Sequence, residues 1–538
     1  MSTTSALVAD PTSTVRLSLR AILQSFDIGR VDTASTVSEA RRRLLDSRYD
    51  IVLCEYHFGT EETGHDLLED MRAKHKLPPT TIFIMVTSEA SYSRVIGVAE
   101  ETPDDYMLKP VQAGDLADRI EKCFQRRQAM SDIYDALAHQ DYAGALKNAQ
   151  RMMAQKTPYL ADVVRVAANT LYKLKRYDEA AAMFKRILET RNPAWAKLGL
   201  AKVAIKQGDK AAAEAAMKDL IAQHLRYLPV YNQLTELYIS DERYAEALDI
   251  TEQAVKITPG SIKRLQLAGQ LCYSLGEMER ASDYLTRAAR FASKASDLDY
   301  RSLFHLMQIQ VEGGKLADAA SLLKQVRAKR DGDDDTDQGQ RGGWYCDLAL
   351  AAESVARREP LAAIDIMRKL AAHWDAPEFN FELALDYLKV INQLYAEDIA
   401  SNLAQWIRPI ALRFATGRHA HELLTQPIAQ RPKIAEVVTQ ANEHIAQVAN
   451  EAAQLMVDQN VEAAADRLVA EGTKTLNNRL LAAAANAAAK GFQTLHDDMY
   501  KQHAETCLAM MTPPDENLMQ RLRTVLATPP EAVGSPPS

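Results

Sequence analysis

Four polar residues stand at the ends of apolar runs early in the chain. Asp10 closes SALVAD, Glu55 closes DIVLCE, Thr87 lies at the end of TIFIMVTS, and Lys109, followed by Pro110, closes DYMLKP. Two carboxylates, a hydroxyl and an ammonium can do chemistry on charge. A lysine bonded to a carboxylate makes a charge-assisted hydrogen bond, which is stronger than a neutral one. The four residues are far apart in sequence, so the fold has to gather them.

The elements that could do so are legible in the same stretch. Residues 5–127 alternate strand-like runs (SALVAD, RVDTAST, YDIVLCE, TIFIMVTS, DYMLKP) with amphipathic ones (TVRLSLRAILQSF, VSEARRRLLDS, GHDLLEDMRAK, YSRVIGVAEE, GDLADRIEKCF). Short β-rich runs between amphipathic helices predict a doubly wound parallel sheet of five strands and five helices. Ligands of such sheets bind at the carboxyl ends of the strands, near the switch point of strand order. Asp10, Glu55 and Thr87 fall at expected strand ends, and Lys109 just after one.

On these residues the segment, about a quarter of the chain, resembles a response-regulator receiver domain of the flavodoxin/CheY-like α/β class. The resemblance implies a site in which a strand-1 acidic pair, a strand-3 aspartate, a strand-4 Thr or Ser and a strand-5 Lys-Pro surround a magnesium ion. The aspartate takes a phosphoryl group and becomes an acyl phosphate. Asp10 matches the first acid, Thr87 the switch hydroxyl, Tyr106 the rotating aromatic, and Lys109-Pro110 the Lys-Pro, often joined by a cis peptide bond.

Two positions depart from the pattern: Pro11 replaces the second acid, and Glu55 stands where the phospho-accepting aspartate is expected. Losing a carboxylate removes an oxygen ligand from a cation that demands near-octahedral geometry, so magnesium on Asp10 and Glu55 is expected to be weak or absent. The extra methylene of Glu55 moves its oxygens about 1 Å, a misplacement that can cost about a hundredfold in rate. Phosphorylation by the normal route is not expected. The longer carboxylate is expected instead to reach towards Lys109 and Thr87, fixing the receiver partly in an active-like state. The bland alternative is a decayed site kept as a scaffold.

After about Ser131 the strand signals stop and Ala-rich helical patterns take over. A phrase of one residue, usually aromatic or apolar, then two residues and Ala recurs at Tyr142–Ala145, Tyr177–Ala180, Lys210–Ala213, Tyr244–Ala247, Met278–Ala281, Leu316–Ala319 and Pro360–Ala363. The steps between the alanines are 35, 33, 34, 34, 38 and 44. The first four lie near the ~34-residue period of tetratricopeptide repeats. The unit YNQLTELYISDERYAEALDITEQAVKITP, residues 231–259, resembles that family closely, which implies an all-α solenoid whose concave surface binds other proteins. Polar first-helix residues of this unit, Asn232 and Glu236, are the protein-binding candidates.

The expected organisation is a receiver at 1–128, repeats at 131–330, a mobile acidic and Gly-rich loop at 331–343, degenerate helical repeats at 344–511 and a Pro-rich, largely disordered tail at 512–538. Within the loop, Asp331, Asp333 and Asp335 have the spacing of a calcium loop, but Thr336 and Gly342 stand where the turn Gly and the bidentate Glu are needed. His419, His421 and Glu422 lack the i, i+4 histidine spacing of a helical zinc site.

Composition narrows the function further. The net charge of −8 is spread evenly, with 16 Lys+Arg against 20 Asp+Glu in residues 1–130, so neither part looks built for nucleic acid. Arg41, Arg42 and Arg43 are expected on a solvated helix face. Five scattered cysteines without CxxC spacing suggest neither disulfides nor zinc and fit a reducing cytoplasm. No signal-peptide core and no run of about 18 apolar residues is found. Residues 131–538 contain no Gly-rich phosphate loop, GxSxG elbow or catalytic Cys/His pairing. The expected function is a non-catalytic adaptor of bacterial two-component (phosphorelay) signalling, partnered by a histidine kinase, another response regulator or another signalling protein. The alternative is a phosphorylatable regulator whose receiver switches partner binding by the repeats.

Overall fold

The computed structural model describes residues 4–60, 62–73, 76–78, 80–88, 103–190, 192–292, 298–332 and 337–527. They form two compact units, one of residues 1–241, 245–268 and 287–293, the other of residues 242–244, 269–286 and 294–538.

The first unit opens with a five-stranded parallel sheet: β1 (Ser5–Ala9), β2 (Arg30–Ala34), β3 (Ile51–Glu55), β4 (Ile82–Thr87) and β5 (Asp105–Leu108), in the order β2-β1-β3-β4-β5. Helices α1 (Ser13–Gln24), α2 (Val37–Asp46), α3 (Gly64–Ala73) and α4 (Ala113–Ala129) cover it. The helix expected over YSRVIGVAEE lies outside the described residues. A parallel sheet is sandwiched on both faces, which is why its strands read as continuous apolar runs. Leu7, Val52 and Phe83 join α2 and α3 in one core. Ala6, Val8, Ile51, Leu53 and Ile84 join α1 and α4 in the other. Each buried aliphatic side chain contributes about 1.5–3 kcal/mol.

Register aligns the strand ends. Ala9 pairs with Cys54, Glu55 with Val86, and Thr87 with Leu108, so Asp10, Glu55, Thr87 and Lys109 emerge along one edge. The strand order reverses between β1 and β3, the usual place for a ligand in this class of sheet.

The rest of the chain is helical. Each phrase residue opens the second helix of a pair: Tyr142–Ala154, Tyr177–Thr190, Lys210–Gln223, Tyr244–Ile257, Met278–Phe291, Leu316–Gly332 and Pro360–Ala371. The phrase alanines, Ala145, Ala180, Ala213, Ala247, Ala281, Ala319 and Ala363, are all at most 1% exposed. A second regularity accompanies them. Two residues before each second helix the backbone turns left-handed, at Gln140, Lys175, Gly208, Glu242, Gly276, Gly314 and Arg358. The next amide then reaches back to close the first helix, as Asp141 N–H does to Ala136 O at 2.8 Å and Arg176 N–H to Leu171 O at 3.0 Å. This is the Schellman end of a helix, and the amides of Asp209, Glu277, Lys315 and Glu359 repeat it. Gln459, before the helix Val461–Thr475, has the same conformation, and Ala464 is buried, which adds a further unit of the same kind.

Three expectations need correction. The loop over 331–343 is mostly helix: one helix runs to Gly332 and the next, Asp337–Ala356, begins before the glycines, leaving 333–336 outside the described residues. Buried Trp344, Tyr345 and Cys346 hold the second helix in place, and a Cβ on Gly342 would come 2.5 Å from the Tyr300 ring. The tail carries a helix, Glu516–Ala527, because Leu518, Leu522 and Leu526 fall on one face and enter the core built on Asn478–Leu495. Residues 528–538 lie outside the described residues. Arg41 is no solvated residue; it is 1% exposed and ion-paired to Glu62 and Asp70.

All five cysteines are buried and none is in a disulfide. No helix among the described residues is long and apolar enough to cross a membrane.

Candidate functional site

The strand register delivers the four polar residues to one edge, and side-chain bonds join three of them. Lys109 follows β5, its amide bonded to Thr87 O at 2.9 Å, and its ammonium donates to both Asp10 Oδ2 and Glu55 Oε2. Asp10 is 1% and Glu55 5% exposed. Burial works against the Lys109 ammonium, but the hydrogen bonds and charges of Asp10 and Glu55 outweigh it and hold its pKa above the ordinary value. The second Glu55 oxygen folds back on its own strand end, accepting from Tyr56 N–H at 2.6 Å and His57 N–H at 3.1 Å. Asp10 Oδ1 accepts from Thr12 N–H at 2.8 Å. Thr87 is buried at the end of β4.

The start of α3 presses on this edge. Gly64 N–H bonds Tyr56 O at 2.9 Å, and a Cβ at residue 64 would stand 2.1 Å from Glu55 O, so only glycine lets the helix begin there. Tyr106 packs beside the α2–α3 core, and burial pushes its hydroxyl up to about 12. The Lys109–Pro110 peptide is cis. The donor set suits a divalent cation poorly: Asp10 and Glu55 are two carboxylates, Pro11 adds no side-chain oxygen, and Lys109 already places a positive charge on both. Among the described residues no group of three or more His, Cys, Asp or Glu could hold a metal ion.

The repeat candidates lie elsewhere in the first unit. Asn232 and Glu236 sit on the helix Leu228–Ser240, half-buried and exposed respectively. They border a cavity of about 220 Å³ whose other walls include His65 and Glu69 of α3, together with Lys202 and Arg264. Arg264 Nη2 donates to Glu69 Oε1 at 2.9 Å, a bond across 195 residues of sequence that sequence reasoning missed. Burial raises the Glu69 carboxyl, but the charges of Arg264, His65 and Lys263 and the Arg264 hydrogen bond together outweigh it, and the pKa lies below the ordinary value.

The second unit holds another group that was not foreseen. Asp386, fully buried, accepts from Arg301 Nε at 2.9 Å and from Tyr345 OH at 3.3 Å, and His305 Nε2 lies 2.9 Å from it. His305 stacks on Tyr273 with ring centroids 3.8 Å apart, and Lys389 lies over the same ring. The only sequence signal was Asp386 and Lys389 interrupting the apolar run ALDYLKVI.

Comparison with known proteins gives residues 6–121 as a response regulator receiver domain. Over 120 residues, 22% of this chain, the sequence is 29% identical to the chemotaxis protein CheY of Pseudomonas aeruginosa, covering 95% of that protein. It is 27% identical to the chemotaxis protein CheY-3 of Vibrio cholerae, covering 91% of it. Among solved structures, a tetratricopeptide repeat protein from Parabacteroides merdae is similar to 52% of this chain and 98% of its own, at 12% identity and a TM-score of 0.31.

Proposed function

We propose that the chain, in which a two-component receiver domain precedes a helical-repeat region, is a non-catalytic signalling adaptor whose receiver does not take phosphate. In this reading Glu55 stands permanently where a phosphorylated aspartate would, and the repeats carry the protein-binding role. The observation that supports it is the Lys109 ammonium bonded to both Asp10 and Glu55. An internal ion pair occupies the charges that phosphate and a cation would otherwise need, and phosphoryl transfer rests on positioning and charge neutralisation.

Radiolabel transfer tests the reading. The full chain is incubated with magnesium and acetyl phosphate, or with a phosphorylated histidine kinase, and stable label on the receiver is measured. No label above a Glu55→Gln control is expected. Label that is lost in the Glu55→Gln variant would instead make this a phosphorylatable regulator.

A further inference from the structure

We infer that the repeat surface around Arg264 is a docking site for an acidic helix, which receiver helix α3 occupies in this structure, so that a partner's acidic helix binds only by displacing the receiver. The inference rests on the protein-binding role proposed above and names the chemistry of the partner.

Arg264 is built as a reader of carboxylates. It is 3% exposed, and Nη1 is held on its own side by Thr258 Oγ1 at 2.9 Å and Ser261 Oγ at 3.2 Å, both residues buried. This leaves Nη2 to meet Glu69. A guanidinium fixed in advance loses little freedom on binding and recognises carboxylates in a fork geometry. Exposed Lys263 adds a second positive charge near Glu69.

The present occupant fits incompletely. Glu69 meets Arg264 through one oxygen only; Glu69 Oε2 and Arg264 Nε are buried and have no hydrogen-bond partner. Bidentate pairing would use them, and a cavity of about 220 Å³ remains beside α3. A contact that leaves polar atoms idle can be displaced by a helix that places its carboxylate better. The opposite face of α3 is committed to the receiver: Leu67, Leu68 and Met71 are fully buried, and Asp70 pairs with Arg41. The Glu69 face meets the repeats, through Arg264.

The probe is a helix-stapled, fluorescent peptide of residues 62–73, titrated onto the full chain. Glu69→Lys, which repels Arg264 and frees the surface, should tighten peptide binding about tenfold, within the usual range of intramolecular coupling. Arg264→Gln should abolish binding, and Lys263→Glu, at an exposed position where folding is not at stake, should weaken it. Circular dichroism confirms that each variant is folded. Equal affinity for wild type and Glu69→Lys, or binding that survives both Arg264→Gln and Lys263→Glu, would overturn the inference, as would no binding to any folded variant. Phosphate acceptance at residue 55 is read independently, so the two ideas can fail separately.

Discussion

At the scale of single residues, Lys109 is the hinge of the receiver site because its ammonium serves two buried carboxylates. Lys109→Met strands both. The cost should be about 3 kcal/mol, the low end for breaking a buried pair, since Lys109 is 18% exposed. Chemical denaturation of the full chain checks this, and adding Glu55→Gln should recover part of the loss by removing one stranded charge. Acceptor chemistry makes a second prediction. Glu55→Asp alone should not restore labelling by acetyl phosphate and magnesium, because Pro11 still supplies no ligand, whereas Glu55→Asp with Pro11→Asp should label measurably. Ordinary labelling of the single variant would show that Pro11 is immaterial.

At the scale of elements, the turns and the alanines carry the repeat. Gln140 holds a left-handed conformation that costs a non-glycine residue about 1 kcal/mol, so Gln140→Gly should stabilise the chain slightly and Gly208→Ala should destabilise it by a similar amount. Ala247→Leu should overpack its helix pair and cost about 1–3 kcal/mol, while Asn232→Ala and Glu236→Ala stay within about 0.5 kcal/mol. Thermal unfolding measures all five. The repeat was legible because small buried residues at a fixed period leave a mark on the sequence, and the strand ends because buried parallel strands end abruptly at polar residues. The helices at 337–356 and 516–527 were harder to read. Glycine and proline signal turns, and nothing local shows that Trp344 or Leu518 will find a core to enter. Arg41 was misread for the same reason, since its partners Glu62 and Asp70 come from a later segment. The bond between Glu69 and Arg264 could not be read at all, because a pairing across that distance is settled by tertiary packing alone.

At the scale of the whole molecule, acid should act through the second unit. Burial lowers His305 from 6.5 to about 4 although Asp386 favours the charged ring. Between those values the unfolded chain holds the proton and the folded one does not. The stabilisation is therefore complete above pH 6.5 and is lost as pH falls towards 4, by up to roughly 3 kcal/mol. Burial raises Asp386, but Arg301 and His305 outweigh it and hold its carboxyl below the usual range, which adds a loss of the same sign below about pH 3.8. Lys389, lowered by burial to about 7, titrates above this window. Melting temperatures from pH 7 to 4.5 should fall for the wild type and fall less for His305→Asn; equal slopes would show that His305 is not the sensor. The buried cysteines have a practical corollary. A thiol reagent attacks the thiolate, and burial pushes Cys123 and Cys507 each up to about 11, with Cys54 raised further still. The native protein should therefore be chemically silent towards maleimides. A new pair, Glu69→Cys with Arg264→Cys, could then be labelled or oxidised against an empty background, turning the opening of the receiver from the repeats into a countable covalent signal.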